Sequence, residues 1–369
     1  MRVKVTDLQA GCMLIKDVMG KTRYPIIPAN TILTEQHIAV LKAFLVEEAE
    51  VRSRTESGEI FKPEERRPEE QTEAAAVPVP AVSSIAQSFK TAADLYKKEF
   101  QSWQSGIGIN ITNIRALLLP LIEAIEDHKG WIRQLHLYGN KEEYMYHHPV
   151  AVAAISSAIA KAMGHDKGQC MQVALAGCLA DSGMAKIPER TLLKQGNLNE
   201  VQRNEVKKHP VYSYQLVKNI SLLKPETKLA VLQHHERLDG SGYPMGEKGN
   251  RIHLISQIVA LADMFHAMTT ERLYKGKISP FRTLQIMEED HFGQFDISIL
   301  NVLMSIVASL PAGTPVRLSD GRVGEILFVK TDALTRPLVK ILDTEEIVDL
   351  ERNRMLFLED VMSDGLQVT

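Results

Sequence analysis

Eight residues able to hold a metal ion or move a proton fall between positions 147 and 263: His147, His148, Asp181, His209, His234, His235, Asp239 and Asp263. Imidazole and carboxylate together suit Fe, Mn, Zn or Ni, whereas Ca and Mg prefer shells made of oxygen alone. One carboxylate can bridge two such metals about 3.5–4 Å apart, and the pair then polarises a phosphate and activates water. Taken singly, each of these histidines is better explained as a satisfied surface or core residue than as a ligand. The adjacent pair His234-His235 is different, because Arg237-Leu238-Asp239-Gly240-Ser241-Gly242-Tyr243-Pro244 follows it. Two glycines and a proline there impose a tight loop directly after a helix end able to carry ligands.

The elements that must position these residues are mostly helices. Ile85, Phe89, Ala92, Tyr96, Phe100 and Trp103 recur at three-to-four spacing, as do Ile111, Ile114, Leu118, Ile122 and Ile125. The first stripe fits either a dimerising helix or packing against the following domain. Helical spacing continues through Val152-Ile155-Ile159-Met163 and Ile258-Leu261-Phe265 to about residue 310, without strand alternation. After Pro311 the pattern flips: Val316 to Leu318, Val323 to Val329, Leu338 to Leu342 and Ile347 to Leu350 read as short strands, with a turn at Ser319-Asp320-Gly321. Before the helices, Val3, Val5 and Leu8 alternate, and Thr34 can cap a helix whose apolar face is Ile38, Leu41, Phe44 and Leu45. The stretch between carries Glu64-Glu65-Arg66-Arg67-Pro68 and Ala76-Val77-Pro78-Val79-Pro80, with too little apolar bulk to offset its ordering entropy. The expected fold class is mainly α. A small N-terminal α/β module (1–53) and a flexible linker (54–84) precede an all-α domain (85–310), and a small β-barrel-like module (311–369) follows.

Composition narrows the function. Hydrophobic residues make up 44% and charged residues 24%, which suits a globular chain with a real core. Lys and Arg number 43 against 46 Asp and Glu, a net charge of −3, so a nucleic-acid polymer is not the expected partner. Cys12, Cys170 and Cys178 are an odd number without paired spacing and fit a reducing compartment. The N-terminus lacks the apolar stretch of a signal peptide, and the longest apolar run, Ile114 to Ile125, is interrupted by Pro120. A cytoplasmic protein without a membrane span is expected.

At His234 to Pro244 the sequence resembles the signature of the HD-GYP family, the HD-type metal-dependent phosphohydrolases that hydrolyse the second messenger cyclic di-GMP. Further stretches are similar in order: Tyr144 through His148 to Val152, Ile187-Pro188-Glu189-Arg190, Lys207-Lys208-His209-Pro210, Ile258 through Asp263 to Phe265, Arg272-Leu273-Tyr274-Lys275 and Gly293-Gln294-Phe295-Asp296. Carried over position by position, the resemblance implies a binuclear Fe/Mn-type centre with ligands His148, Asp181, His209, His234, His235 and Asp263. Asp181 would bridge the metals and so be the residue on which catalysis depends. It further implies a nucleotide site made by Gly242, Tyr243 and Pro244, with Arg272 and Lys275 on the phosphates. Alignment of the surrounding valines favours His148 over His147.

Four departures bear on activity. The family's His-Asp doublet is Ala180-Asp181, the lysine three residues after that Asp is Met184, the Asp usual three residues after Asp263 is His266, and Tyr144 stands where members with three metals carry a Glu. Alanine cannot donate an electron pair, although three protein ligands still hold a catalytic metal and His266 could stand in. Losing one electrostatic donor costs roughly 10²–10³ in rate. Pro149 suggests a helix that begins after His148. The resemblance therefore implies a cyclic di-GMP signalling protein that binds the nucleotide with weak or no hydrolysis, its flanking modules addressing signalling protein partners. A working phosphodiesterase and a non-binding scaffold are the alternatives.

Overall fold

The computed structural model describes residues 2–5, 8, 11–19, 25–34, 37–38, 41, 46, 48–52, 85–126, 128, 130–139, 141–192, 194, 196–271 and 276–362. The expected linker 54–84 lies outside the described residues, as do Phe44, Leu45, Arg272 and Lys275. The chain divides into two compact units, Met1–Val79 and Pro80–Thr369.

In the first unit, strand β1 (Arg2–Lys4) pairs antiparallel with β4 (Glu48–Glu50), and β2 (Val18–Met19) with β3 (Pro25–Ile27). Val3, Val5, Leu8, Cys12, Leu14, Leu33, Ile38 and Leu41 form its core. Thr34 Oγ1 accepts from the His37 backbone N–H at 3.3 Å, and His37 Nδ1 accepts from the Thr34 backbone N–H at 3.2 Å. That reciprocal cap leads into helical residues 37 and 38.

The second unit is a helical bundle with a sheet attached. Its main helices are α1 (Ile85–Gln104), α2 (Ile111–Glu126), α3 (Tyr144–Ala162), α4 (Lys167–Leu179), α5 (His209–Val217), α6 (Pro225–Gln233), α7 (Leu254–Thr269), α8 (Pro280–Glu289) and α9 (Ile297–Val307). The α1 stripe is used up inside this unit: Phe89, Ala92, Tyr96, Phe100 and Trp103 are all buried, with Tyr96 and Trp103 edge to face at 5.4 Å. The sequence left this stripe open between a dimer contact and core packing, and the structure places it in the core.

Pro149 does not start a helix. It lies inside α3, which already begins at Tyr144. The ring removes the hydrogen bond to the Met145 carbonyl, a loss confined to the second turn and offset by burial of every residue from His147 to Ser157. Asp166 and Gln169 close a capping box at the start of α4. At Gly177, an added Cβ would stand 3.1 Å from the backbone of Val152, so a larger residue would push α3 and α4 apart by a few tenths of an ångström. The end of α4 is thereby brought beside the His148 helix.

The C-terminal part is a five-stranded antiparallel sheet in the order β8-β7-β6-β5-β9, made by β5 (Pro315–Leu318), β6 (Val323–Phe328), β7 (Leu338–Ile341), β8 (Ile347–Asp349) and β9 (Leu358–Val361). Its edges, β8 and β9, are not paired with each other, so the sheet is open where a barrel-like closure was expected. The sheet is anchored on α8: Arg336 donates to Gln285 Oε1 at 3.1 Å, and Ser279 Oγ donates to the Leu358 carbonyl at 2.5 Å.

Candidate metal centre

Each donor reaches the centre from a helix end or a helix face. Asp181 follows the end of α4 and opens the 3₁₀ turn Ser182–Lys186. The Ser213 hydroxyl, on α5, donates to the Ala180 carbonyl at 2.6 Å and accepts from the Gly183 N–H at 2.7 Å. One hydroxyl thus binds the Asp181 turn to the helix that His209 begins. His234 and His235 stand at the end of α6, His148 on α3 and Asp263 on α7.

These six side chains form two groups that share one carboxylate. Asp181, His209, His234 and His235 make a four-donor group, and His148, Asp181 and Asp263 a three-donor group. Asp181 Oδ1 faces His209 Nε2 at 3.1 Å and His234 Nε2 at 3.7 Å, while its Oδ2 faces His148 Nε2 at 3.6 Å. Asp263 Oδ1 is 2.8 Å from His148 Nε2, and its Oδ2 is 3.8 Å from His235 Nδ1. One carboxylate with an oxygen turned to each group has the form of a bridge between two cations.

The hydrogen bonds made by the far ring nitrogens test whether a metal fits. His209 Nδ1 lies 2.8 Å from the Val206 carbonyl and His234 Nδ1 2.9 Å from the Val231 carbonyl, contacts that only a protonated Nδ1 can make. In the neutral rings the electron pairs therefore sit on the two Nε2 atoms, which face each other at 3.1 Å with Asp181 Oδ1 beside them. Two lone pairs and a carboxylate oxygen converging without a hydrogen between them repel, and a cation relieves that repulsion. Burial works against charge on Asp181, yet the imidazoles around it, His209 and His234 first, outweigh it and hold the carboxyl well below its ordinary range. Asp263 is lowered in the same way, against its own burial, by His148 and His235. Burial, with His234 alongside, pushes the His235 imidazole well down and so keeps it neutral. Ionised carboxylates and neutral imidazoles are the forms that bind metal.

The other candidates fall in different places. His147 turns away from the centre, toward Glu143 at 3.9 Å and the Phe89 ring. Asp239 is exposed, and Oδ1 accepts from the Ser241 N–H and hydroxyl at 2.8 and 2.6 Å, so its carboxylate is spent on the turn. His266 belongs to neither donor group and cannot stand in for the missing imidazole: its Nδ1 meets His148 Nδ1 at 2.8 Å, on the side opposite the carboxylates. Ala180 is buried, and Met184 packs against the apolar core.

Around the loop, Tyr243 stacks on His235 with ring centroids 4.6 Å apart, and Lys207 Nζ lies 5.5 Å from the Tyr243 ring centre. Three supports were not assigned from the sequence, although two of them sit within quoted motifs. The buried Glu236 carboxylate accepts from the N–H groups of Met245 and Glu247 at 2.7 and 3.0 Å. Arg237 lies over the Phe295 ring at 4.8 Å, and the Gln294 carbonyl accepts from Leu238 at 3.0 Å. Ser213 is the third, and no pattern in the sequence marked it. Gly242 allows the loop to close: a Cβ there would fall 2.5 Å from Arg237 N and Glu236 Cα, and closer still to the His235 carbonyl. Because all three obstacles are backbone, Gly242→Ala is expected to lower stability by about 1–3 kcal/mol. It should also loosen the grip on metal, which thermal unfolding with and without Mn²⁺ checks.

A family model described as "HD domain" matches residues 121–299. A cyclic di-GMP phosphodiesterase of Pseudomonas aeruginosa is 27% identical over 290 residues, 74% of this chain and 70% of that protein. A 3'3'-cGAMP-specific phosphodiesterase of Vibrio cholerae is 33% identical over 168 residues, 44% of this chain, so the chain matches only 38% of that relative's length. A cyclic di-GMP phosphodiesterase response regulator of Xanthomonas campestris is 38% identical over 122 residues, 33% of this chain and 32% of that protein. Among solved structures, an HDG"Y"P protein from Bdellovibrio bacteriovorus aligns with a TM-score of 0.50 at 14% identity, covering 82% of this chain and 97% of that one, a likeness of fold. Residues 121–299 of the second unit thus carry an HD domain, and both donor groups lie within it. The matches support the resemblance to the HD-GYP family that the His234 to Pro244 stretch carries. No helix among the described residues is long and apolar enough to cross a membrane.

Proposed function

We propose that this protein is a cyclic di-GMP signalling protein that binds the nucleotide at the His/Asp centre and hydrolyses it slowly or not at all. The observation that carries the reading is the unequal pair of donor groups hinged on Asp181, four donors on one side and three on the other. The three-donor side is where Ala180 offers no imidazole, and Met184 brings no charge to the same turn. Divalent cations of Fe or Mn type would polarise a phosphodiester here and activate water. This chain's residues do the rest: Asp181 holds the two halves in register, Tyr243 covers His235, and Lys207 brings a positive charge to the loop side. Arg272 and Lys275 are proposed as the phosphate-binding pair, with Gly242, Tyr243 and Pro244 lining the nucleotide pocket. The same reading takes 1–53, 54–84, 85–310 and 311–369 as working parts of a cytoplasmic protein, the outer modules relaying the signal to protein partners.

The relatives named for cyclic di-GMP and for 3'3'-cGAMP make both nucleotides the probes of choice. The test is calorimetric titration of the purified chain with each, beside chromatography of the reaction products and metal analysis. Binding of cyclic di-GMP at micromolar or lower concentration, with little pGpG or GMP formed on adding Mn²⁺, is the expected result. Rapid Mn²⁺- or Fe²⁺-dependent turnover would replace this reading with an active phosphodiesterase. Absence of nucleotide binding would leave a scaffold.

A further inference from the structure

Behind His148, on the side away from the carboxylates, lies a chain of polar contacts that the proposed function does not use. His148 Nδ1 is 2.8 Å from His266 Nδ1 and 2.9 Å from Tyr144 Oη, and His266 Nε2 is 3.1 Å from Thr270 Oγ1. Helical spacing builds it: Tyr144 lies one turn before His148 on α3, and His266 one turn beyond Asp263 on α7. Tyr144 stacks on both imidazoles, 4.9 Å from His148 and 6.1 Å from His266, within 25° of parallel. His148, His266 and Thr270 are all buried, so water does not compete freely for these groups.

The chain of hydrogen bonds can run in two directions. In one, Thr270 donates to His266 Nε2, His266 Nδ1 donates to His148 Nδ1, and His148 Nε2 donates to Asp263 Oδ1 2.8 Å away. In the other, His148 Nδ1 donates to His266 Nδ1, and His266 Nε2 donates to Thr270 Oγ1. Only the second leaves an electron pair on His148 Nε2. The number of protons on the two rings is the same in both, since one leaves His148 Nε2 as another is taken up at the Thr270 end.

We propose that His266 is a positioning residue whose change of tautomer frees His148 Nε2, so that the three-donor position loads separately from, and less tightly than, the four-donor position. This rests on the metal-centre reading above. An imidazole acceptor turns with its neighbour's tautomer, which a fixed carboxylate in its place would not need to do. Loss of such an outer partner typically lowers metal affinity about 10–100-fold. The four-donor group keeps its own anchors at the Val206 and Val231 carbonyls.

Titration of the metal-free full-length chain with Mn²⁺, followed by calorimetry, tests this together with ¹⁵N NMR of the imidazoles. Wild type is expected to show two binding events of different affinity, with the His266 proton moving from Nδ1 to Nε2 during the weaker one. His266→Ala should weaken only the weaker event, about 10–100-fold. His266→Asn, which keeps an acceptor, should restore part of the loss, and Thr270→Val should change the tautomer response without removing either ring. Two events of equal affinity, or a weaker event unmoved in every variant, would overturn the inference while leaving the metal centre standing. Absence of any Mn²⁺ binding to wild type would instead overturn the metal-centre reading on which it rests.

Discussion

Asp181→Asn is expected to leave the purified protein almost free of divalent metal and to abolish whatever nucleotide turnover it has. The substitution keeps the shape of the side chain and removes the two properties that the site uses. Oδ1 faces His209 and His234, and Oδ2 faces His148, so replacing either oxygen with an amide nitrogen removes a donor from one of the two groups. The amide is also uncharged, although His209 and His234 hold the native carboxyl well below its ordinary range and so keep it ionised. Losing an outer-sphere partner typically costs about 10–100-fold in metal affinity, and a shared ligand costs more because both positions lose it together. The fold should survive, since the Ser213 bonds to Ala180 and Gly183 that hold the turn do not involve the Asp181 side chain. Metal analysis beside thermal unfolding decides it: unaltered metal content in Asp181→Asn would remove the bridge from the argument.

Much of this centre was legible in the sequence because its parts obey strong local rules. An adjacent histidine pair before two glycines and a proline is rare as decoration, and the loop does fold back so closely that Gly242 has no room for a Cβ. The α1 stripe was equally legible in spacing, yet spacing alone could not choose between its own core and a second chain. What escaped notice depends on distance through space. Ser213 lies thirty-three residues from Ala180, whose carbonyl it ties down, and nothing in the residue type announces that. Asp239 looked like a donor by type and neighbourhood, but a carboxylate two residues before a serine closes its own turn more readily than it reaches a distant metal. Pro149 was read by a rule for isolated helices, and burial of the surrounding turns overrode it. Strand β9 is four residues long, and only its pairing with β5 reveals it. His266 was weighed as a stand-in ligand because the sequence does not show which side of His148 a neighbouring helix will reach.

Ala180→His combined with Met184→Lys is expected to raise cyclic di-GMP hydrolysis by about 10²–10³ over wild type. The two changes flank Asp181: Ala180 closes α4, and Met184 lies within the 3₁₀ segment Ser182–Lys186. An imidazole at 180 is intended to bring the three-donor group level with the four-donor group, and an ammonium at 184 to add the charge that a developing phosphorane calls for. The single variants separate the two effects. Ala180→His alone should tighten the weaker Mn²⁺ event with a modest gain in rate, while Met184→Lys alone should raise the rate without altering metal stoichiometry. The site must accept larger side chains at a buried position and at one packed against the core, so a stability loss of about 1–3 kcal/mol is expected and should be measured alongside. If wild type is already a rapid enzyme and the double variant gains nothing, neither Ala180 nor Met184 limits the reaction, and the departures are tolerated in a working centre rather than marks of an impaired one.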